Sequence, residues 1–441
     1  MAHTPRIVII GAGFAGFHAA KALHRTLRDS AEIIMINTTD FFLYLPLLPE
    51  VAAGVLDPRR ISVPLAASLR GVHCVLGNAE GVDLERRVVS VRSPEDDMSE
   101  VGYDRLVITA GSVNKLLPIP GVAEHAHGFR GIPEALYLRD HITRQIELAD
   151  ASDNAEERDA RCTFVVVGAG YTGTEVAAQG VLLTQALTRH RPGLRDQRIR
   201  WLLLDTADRV LPGLDPRLGR AADRVLRRRG VDVRMGVSIK EATTSGVRLT
   251  TDEDLAARTL VWCVGVQPDP LVTDLGLPTE KGRVTVDEYL TIPEHPELFA
   301  CGDVAAVPDL TRPGEVTAMT AQHAERQGAT VARNVAASLG HGERKAYKHH
   351  DLGFVVDLGG VQAAANPLNI PMSGPLAKVV TRAYHLMAMP GNRVRVAADW
   401  LLDAVLRRQS VQLGLVRGPE VPLDSVRPEA PKTAGPGRSG P

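Results

Sequence analysis

Residues Arg6 to Gly16, RIVIIGAGFAG, decide the fold. Four apolar residues, Ile7 to Ile10, have the pattern of a buried parallel strand. Gly11, Gly13 and Gly16 complete G-x-G-x-x-G, and FHAAKALHRTL continues as a helix. Each glycine then has a task. The first permits a tight turn, the second lets backbone touch a pyrophosphate, and the third lets helix and strand pack closely. Free N–H groups and the positive end of the helix would face the phosphates. The strand before the motif and the helix after it are the context that makes a dinucleotide site the expectation.

The pattern returns at Cys162 to Ala178, CTFVVVGAGYTGTEVAA, with Gly168, Gly170 and Gly173. The first glycines of the two copies lie 168 − 11 = 157 residues apart. Two such units imply two dinucleotides, hence a flavin next to a nicotinamide. In each unit the next strand should end on an acid that binds the adenosine ribose, about 20 residues past the last glycine. In the first unit EIIMIN ends on Asn37, at 37 − 16 = 21, and Asp40 is a substitute. In the second, IRWLLLD ends on Asp205 after a longer helix, 205 − 173 = 32. Asp205 would repel a 2′-phosphate, which favours NADH over NADPH, although Arg209 could meet such a phosphate.

Between and beyond these units the chain offers further signals. Phe41 to Arg60 is apolar and proline-rich, and reads as a loop that lines a pocket or packs on the core. His73 to Val91 reads as short antiparallel strands, and Tyr103 to Gly111 as a strand ending in Ala110 and Gly111, where backbone can approach a ligand. PEALYLRDHITRQIELA is a helix, and Asp150 to Ala160 a charged surface connector. GVDVRMG and RTLVWCVGV continue the second sheet. Leu298 to Ala300 is a strand with Gly302 and Asp303 at its carboxyl end, where open α/β sheets bind ligands. Asp303 could accept hydrogen bonds from ribityl hydroxyls. Thr317 to Ala337 reads as one helix aimed at whatever Asp303 holds.

The 441 residues suggest two or three domains, and a net charge of −1 argues against nucleic-acid binding. Four cysteines, far apart, signal neither zinc nor a redox dithiol, and buried free thiols are expected. His349-His350-Asp351 has the wrong spacing for a metal and reads as a solvated turn, so no metal site is expected. Arg227 to Arg229 reads as a helix C-terminal charge cluster. The first strand begins too early to leave room for a signal peptide, and no apolar run reaches the roughly 18 residues of a transmembrane helix. Leu376 to Met389 has a wide apolar face, with Lys378, Arg382 and His385 on the other. Val396 to Arg408 is a second amphipathic helix, with Ala397, Leu401, Ala404 and Val405 in one stripe and Asp403 spaced to pair with Arg407. This basic hairpin, with Trp400, suits an anionic membrane surface. Packing on the body and a homodimer interface are the alternatives. After Gly418 the composition is that of a disordered tail.

The stretches IVIIGAGFAG, FFLYLPLLPEVAAG, YDRLVITAGS, VVVGAGYTGTEVA, TLVWCVGV, ELFACGDVA and TAMTAQHAERQG together resemble the type II NADH dehydrogenases, the non-pumping NADH:quinone oxidoreductases among two-dinucleotide-domain flavoproteins. The resemblance runs from Arg6 to about Arg417. It implies an α/β fold of two Rossmann-like domains, glutathione-reductase-like, with a C-terminal amphipathic helical segment. It implies an FAD domain from 1–115 and 286–345, an NADH domain from 116–285, and an acceptor and membrane-association region from 346–417 before a tail at 418–441. Gly11, Gly13, Phe14, Ala15, Gly16, Asn37, Ala110, Gly111, Gly302 and Asp303 would face FAD. Gly168, Gly170, Tyr171, Thr172, Gly173 and Asp205 would face NADH, and Glu175 matches a family acid near nicotinamide and quinone. The family's A-Q-x-A-x-Q reads Ala321-Gln322-His323-Ala324-Glu325-Arg326 here. Gln322 stands, Arg326 replaces the second glutamine, and Leu45 replaces another glutamine that is common in the family. These departures lie on the acceptor side. Arg326 could attract an anionic quinone species or pair with Glu325. The implied activity is hydride transfer from NADH to FAD and then electrons to a quinone, on the inner face of the cell membrane. The alternatives are a soluble reductase serving a protein carrier or oxygen, or a flavin-bound redox sensor.

Overall fold

The computed structural model describes residues 4–349, 352–406, 408 and 411–423. The chain opens with β1 (Arg6–Ile10), α1 (Phe14–Leu27) and β2 (Glu32–Asn37), then α2 (Leu48–Ala52), β3 (His73–Leu76) and β4 (Arg105–Ile108). Next come α3 (Ile132–Asp150), β5 (Thr163–Val167), α4 (Tyr171–Thr188), β6 (Arg200–Asp205), β7 (Val231–Met235) and β8 (Thr259–Trp262). β9 (His295–Ala300), α5 (Ala321–Ser338), β10 (Val355–Asp357), α6 (Pro375–Ala388) and α7 (Arg393–Val405) complete the frame.

Two parallel sheets result. The first has the order β9-β4-β1-β2-β3, with Thr291–Ile292 antiparallel on the β9 edge. The second runs β7-β6-β5-β8. After building the second sheet the chain returns to the first, where Leu298 pairs with Leu106. Ile7 to Ile10 and all of β5 are buried, which is why both strands are continuous apolar runs rather than alternating ones. α1 packs against α5 so closely that a Cβ on Gly328 would lie 2.2 Å from the carbonyl oxygen of Ala15.

Several local expectations change. Phe41 to Arg60 is not loop throughout: Phe41–Leu43 is a strand, and α2 follows a proline-started turn. Proline at the first positions of a helix loses only an N–H that had no partner. Of His73 to Val91, β3 joins the first sheet in parallel, and only Asn78–Asp83 and Val88–Arg92 pair antiparallel. The charged connector contains a helix, Ala155–Arg161, because Asn154 accepts from the N–H groups of Glu156 and Glu157. α5 starts at Ala321 rather than Thr317. Thr320 is extended and its hydroxyl accepts from the N–H of His323, which fixes the first turn there. Leu423 is buried, so the segment after Gly418 begins against the second sheet's core; residues 424–441 of the expected tail lie outside the described residues. The four cysteines are free.

Candidate dinucleotide and acceptor site

The two glycine turns are built alike. Gly11 and Gly168 have φ of +92° and +105°, the left-handed region that glycine enters at no steric cost. A Cβ on Gly16 would stand 1.9 Å from the Gly11 carbonyl oxygen, and one on Gly173 would stand 1.8 Å from that of Gly168. The first and third glycines are thus required by the protein itself. The middle ones differ: a Cβ on Gly13 or Gly170 would meet nothing within 4 Å. That open ground lies at the start of α1 and α4, where unpaired N–H groups point outward. Phe14 and Ala15 stand in the first turn of α1, and Tyr171 and Thr172 in that of α4.

The ends of β2 and β6 fold back on these turns. Asn37 Oδ1 accepts from the N–H of Ala12 at 2.8 Å, while its Nδ2 donates to the Thr39 carbonyl at 2.9 Å. Asp205 Oδ2 accepts from the N–H of Ala169 at 2.5 Å, and its Oδ1 from that of Ala207 at 2.8 Å. Arg209 lies nearby, with Nη2 donating to the Pro212 carbonyl and Nη1 buried without a partner. Across the first sheet, Gly111 has φ +83° and open space at its Cβ position, and Ala110 abuts Gly11. Gly302 has φ +78°, and its N–H donates to Gln327 Oε1 at 2.8 Å. Asp303 Oδ2 accepts from the Ser112 hydroxyl at 2.7 Å. Sequence reasoning missed Gln327 and Ser112, because their partners lie 25 and 191 residues away.

On the acceptor side, one short segment ties the catalytic candidates together. Gly353 accepts from Gln322 Nε2 at 2.7 Å, and the N–H of Asp357 donates to Glu175 Oε1 at 2.8 Å. Burial drives the Glu175 carboxyl well above the usual carboxylate range. Arg326 Nη1 lies 3.4 Å from His349 Nδ1. Glu325 is not its partner; Glu325 Oε1 is 3.6 Å from His18 Nε2, since adjacent helical residues point apart. His349 is half-buried with its ring tilted 31° against that of His323, centroids 3.9 Å apart, while His350 and Asp351, the rest of the expected turn, lie outside the described residues. Leu45 is exposed, and its neighbour Tyr44 is buried, with its hydroxyl 3.2 Å from His385 Nδ1.

The C-terminal helices correct the expectation for their polar faces. Lys378 and His385 are buried, and Trp400 is turned inward, donating from Nε1 to Glu50 Oε2. Arg382 sits over the Trp400 ring at 4.9 Å. These polar groups find partners inside the protein, so the apolar faces are left outside: Met387 is 77 % exposed, Val394 82 % and Val405 74 %, with Leu376, Val379, Leu401 and Leu402 beside them. Asp403 pairs with Arg408; Arg407, the expected partner, lies outside the described residues. No helix among the described residues is long and apolar enough to cross a membrane.

Comparison with known proteins gives the chain a family and a fold. The family model for the pyridine nucleotide-disulphide oxidoreductases matches residues 5–328. The chain is 33 % identical to the type II NADH:quinone oxidoreductase NdhA of Mycobacterium tuberculosis, over 89 % of this chain and 85 % of that one. It is 32 % identical to the type II NADH:quinone oxidoreductase Ndh of the same organism, over 92 % and 89 %. A solved structure of NDH2 from Plasmodium falciparum in complex with NADH superposes with a TM-score of 0.85 over 93 % of this chain and 100 % of that one; at 16 % identity the likeness is one of fold.

Proposed function

This chain belongs to the pyridine nucleotide-disulphide oxidoreductases and, within them, to the type II NADH:quinone oxidoreductases, and from that premise we propose that it takes hydride from NADH onto FAD and passes the electrons to a quinone at a membrane surface. The observation that carries the reading is the pair of glycine turns whose middle glycines leave room the protein itself does not use. FAD fits the first turn, where Gly11, Gly13, Gly16, Asn37, Gly111 and Gly302 form a cradle with Asp303 at its far end. NADH fits the second, around Gly168, Gly170, Gly173 and Asp205. In this reading 1–115 with 286–345 is the FAD domain, 116–285 the NADH domain and 346–417 the acceptor region.

FAD, when bound, supplies a carrier that accepts a hydride and releases its electrons to a second substrate. The chain's own residues align and exclude water. The turn at Gly170 and the start of α4 fix the pyrophosphate of NADH, and Asp303, held by Ser112, stands ready for ribityl hydroxyls. The N-terminal turn of α5, capped by Thr320, offers a positive end that favours negative charge nearby. Gln322, Glu175 and Arg326 border the acceptor. The apolar faces of α6 and α7, with Arg393 and Arg395 exposed at their rim, suit the inner leaflet of the cell membrane; a homodimer through the same faces is the competing occupant.

Anaerobic addition of NADH to the purified yellow protein should bleach the flavin, and a menaquinone or ubiquinone analogue should restore it. Protein that binds no FAD or ignores NADH overturns the proposal. Asp205 makes NADH the expected donor, because its carboxylate would repel a 2′-phosphate. Asp205→Ser should narrow the preference in kcat/KM for NADH over NADPH by tens of fold, a change of about 2 kcal/mol. Parallel steady-state assays with the two donors check this, and an unchanged ratio would place the discrimination elsewhere.

A further inference from the structure

α2, α4, β10 and α6 enclose a cluster of three carboxyls and one ammonium. Glu50, Asp357 and Lys378 are all buried, and Glu175 joins them through the N–H of Asp357. Lys378 Nζ donates to Asp357 Oδ2 and lies 3.6 Å from Glu50 Oε1. Asp357 Oδ1 also accepts from the N–H of Gly359 at 2.7 Å and from Gln179 Nε2 at 3.4 Å. Asp357 is therefore the best-bonded carboxyl of the three, and it holds the closest contact with the cation. Glu50 keeps Trp400 Nε1–H and the longer contact to Lys378. An anionic carboxylate in an apolar interior is costly without its own countercharge, so Glu50 and Glu175 compete to hold protons.

We infer that Glu50 is the residue through which this cluster takes up and releases the second proton that a quinone acceptor requires, with Lys378 and Asp357 coupling its charge to that of Glu175. This rests on the quinone reading given above. NADH gives up a hydride, which is two electrons and one hydrogen nucleus. A quinone becoming a quinol gains two electrons and two protons. One hydrogen descends from the hydride, and the other comes from solvent. The Glu50 O–H breaks, its proton goes to a quinone oxygen, and the carboxylate left behind faces Lys378 until solvent reprotonates it.

The surroundings suit a group that changes its protonation near neutrality. Burial first, and then Asp357, push the Glu50 carboxyl up to about 7, against Lys378, the Trp400 hydrogen bond and Arg382. The charges that act most strongly on Glu50 thus come from β10 and α6, and Glu175 of α4 feels Glu50 in turn. α3 also packs on α2 but supplies none of them. From Lys378, α6 runs two turns to His385, which meets the Tyr44 hydroxyl. The Tyr44 ring lies 5.9 Å from that of Phe14, beside the first glycine turn. Burial lowers His385 to about 4, so it stays neutral beside the Tyr44 hydroxyl.

Trp400 supplies a local reporter. Trp201 and Trp262 donate instead to the Thr184 hydroxyl and the Lys115 carbonyl. In the holoenzyme, tryptophan emission should show a transition near pH 7 that Glu50→Gln abolishes and Trp400→Phe also removes. In Glu50→Gln the rate of flavin bleaching by NADH should hold, while reoxidation by a quinone analogue falls at least about tenfold and loses its limb near neutral pH. Glu50→Asp should recover part of that rate. A transition that survives in Glu50→Gln overturns the inference, as does an equal fall in both half-reactions. Lost emission change with normal quinone reduction overturns the role of Glu50 alone. A wild-type protein that shows the transition but reduces no quinone overturns the acceptor reading, and this role with it.

Discussion

Alanine at Gly13 and alanine at Gly16 should both yield nearly flavin-free protein, yet only the second should be less stable. At Gly16 the new Cβ would sit 1.9 Å from the Gly11 carbonyl oxygen and 2.6 Å from the Thr109 hydroxyl. Neither neighbour can retreat. Gly11 is held by its N–H to Ile36, and the Thr109 hydroxyl donates to the carbonyls of Ile10 and Gly11. Pushing α1 away from β1 is the only relief, and such overpacking costs about 1–3 kcal/mol or more. At Gly13, φ is −69° and nothing of the protein lies within 4 Å of the added methyl. Alanine there should leave the apoprotein as stable, or better by about 0.4–1 kcal/mol through a less flexible unfolded chain. Flavin content by absorbance and apoprotein melting by urea titration separate the two. If Gly13→Ala retains stoichiometric FAD, the middle glycine is not where the pyrophosphate approaches.

This contrast also marks what was legible in the sequence. Gly11, Gly13 and Gly16 carry constraints that act within a few residues, so a linear reading reaches them. The same holds for Gly168, Gly170 and Gly173. Asn37 could be counted to, because it falls at the usual length of a strand-turn-helix-strand unit, whereas Asp205 lies 32 residues past Gly173 and is found as the acid that ends the next apolar run. The return of β9 to the first sheet could be suspected only from Gly302 and Asp303 at its end.

The acceptor half was less accessible. Glu50 sits in the apolar run LLPEVA, and a lone acid there is a signal that something buried answers it. Its partners, however, are 328 and 350 residues away, at Lys378 and Trp400. Periodicity also found the two faces of α6 but could not say which one turned inward. A polar stripe is usually solvated; here Lys378 and His385 meet buried partners, and the apolar stripe is left outside. Amphipathicity gives an axis, and only the partner decides its sense.

That inward stripe leads to the second large effect. Lys378→Met should destabilise the protein by about 3–5 kcal/mol, because it deletes the ammonium that contacts both Asp357 and Glu50 and leaves buried carboxyls uncompensated. Methionine fills similar volume, so the loss is electrostatic rather than a cavity. The dependence on pH follows from Glu50. In the wild type its folded value, about 7, lies above that of an unfolded glutamate, so its share of stability is present below the unfolded value and is lost as pH rises through the folded one. Removing Lys378, which lowers the Glu50 value, raises it further. The window of declining stability then extends above pH 7, and the difference between variant and wild type should be small near pH 5 and greatest near pH 8. Urea titrations of the two proteins at those pH values provide the measurement. A deficit of equal size at both pH values would mean that Lys378 acts through packing alone. A deficit that grows with acid would reverse the sign and remove the ammonium from its place as the countercharge of the cluster.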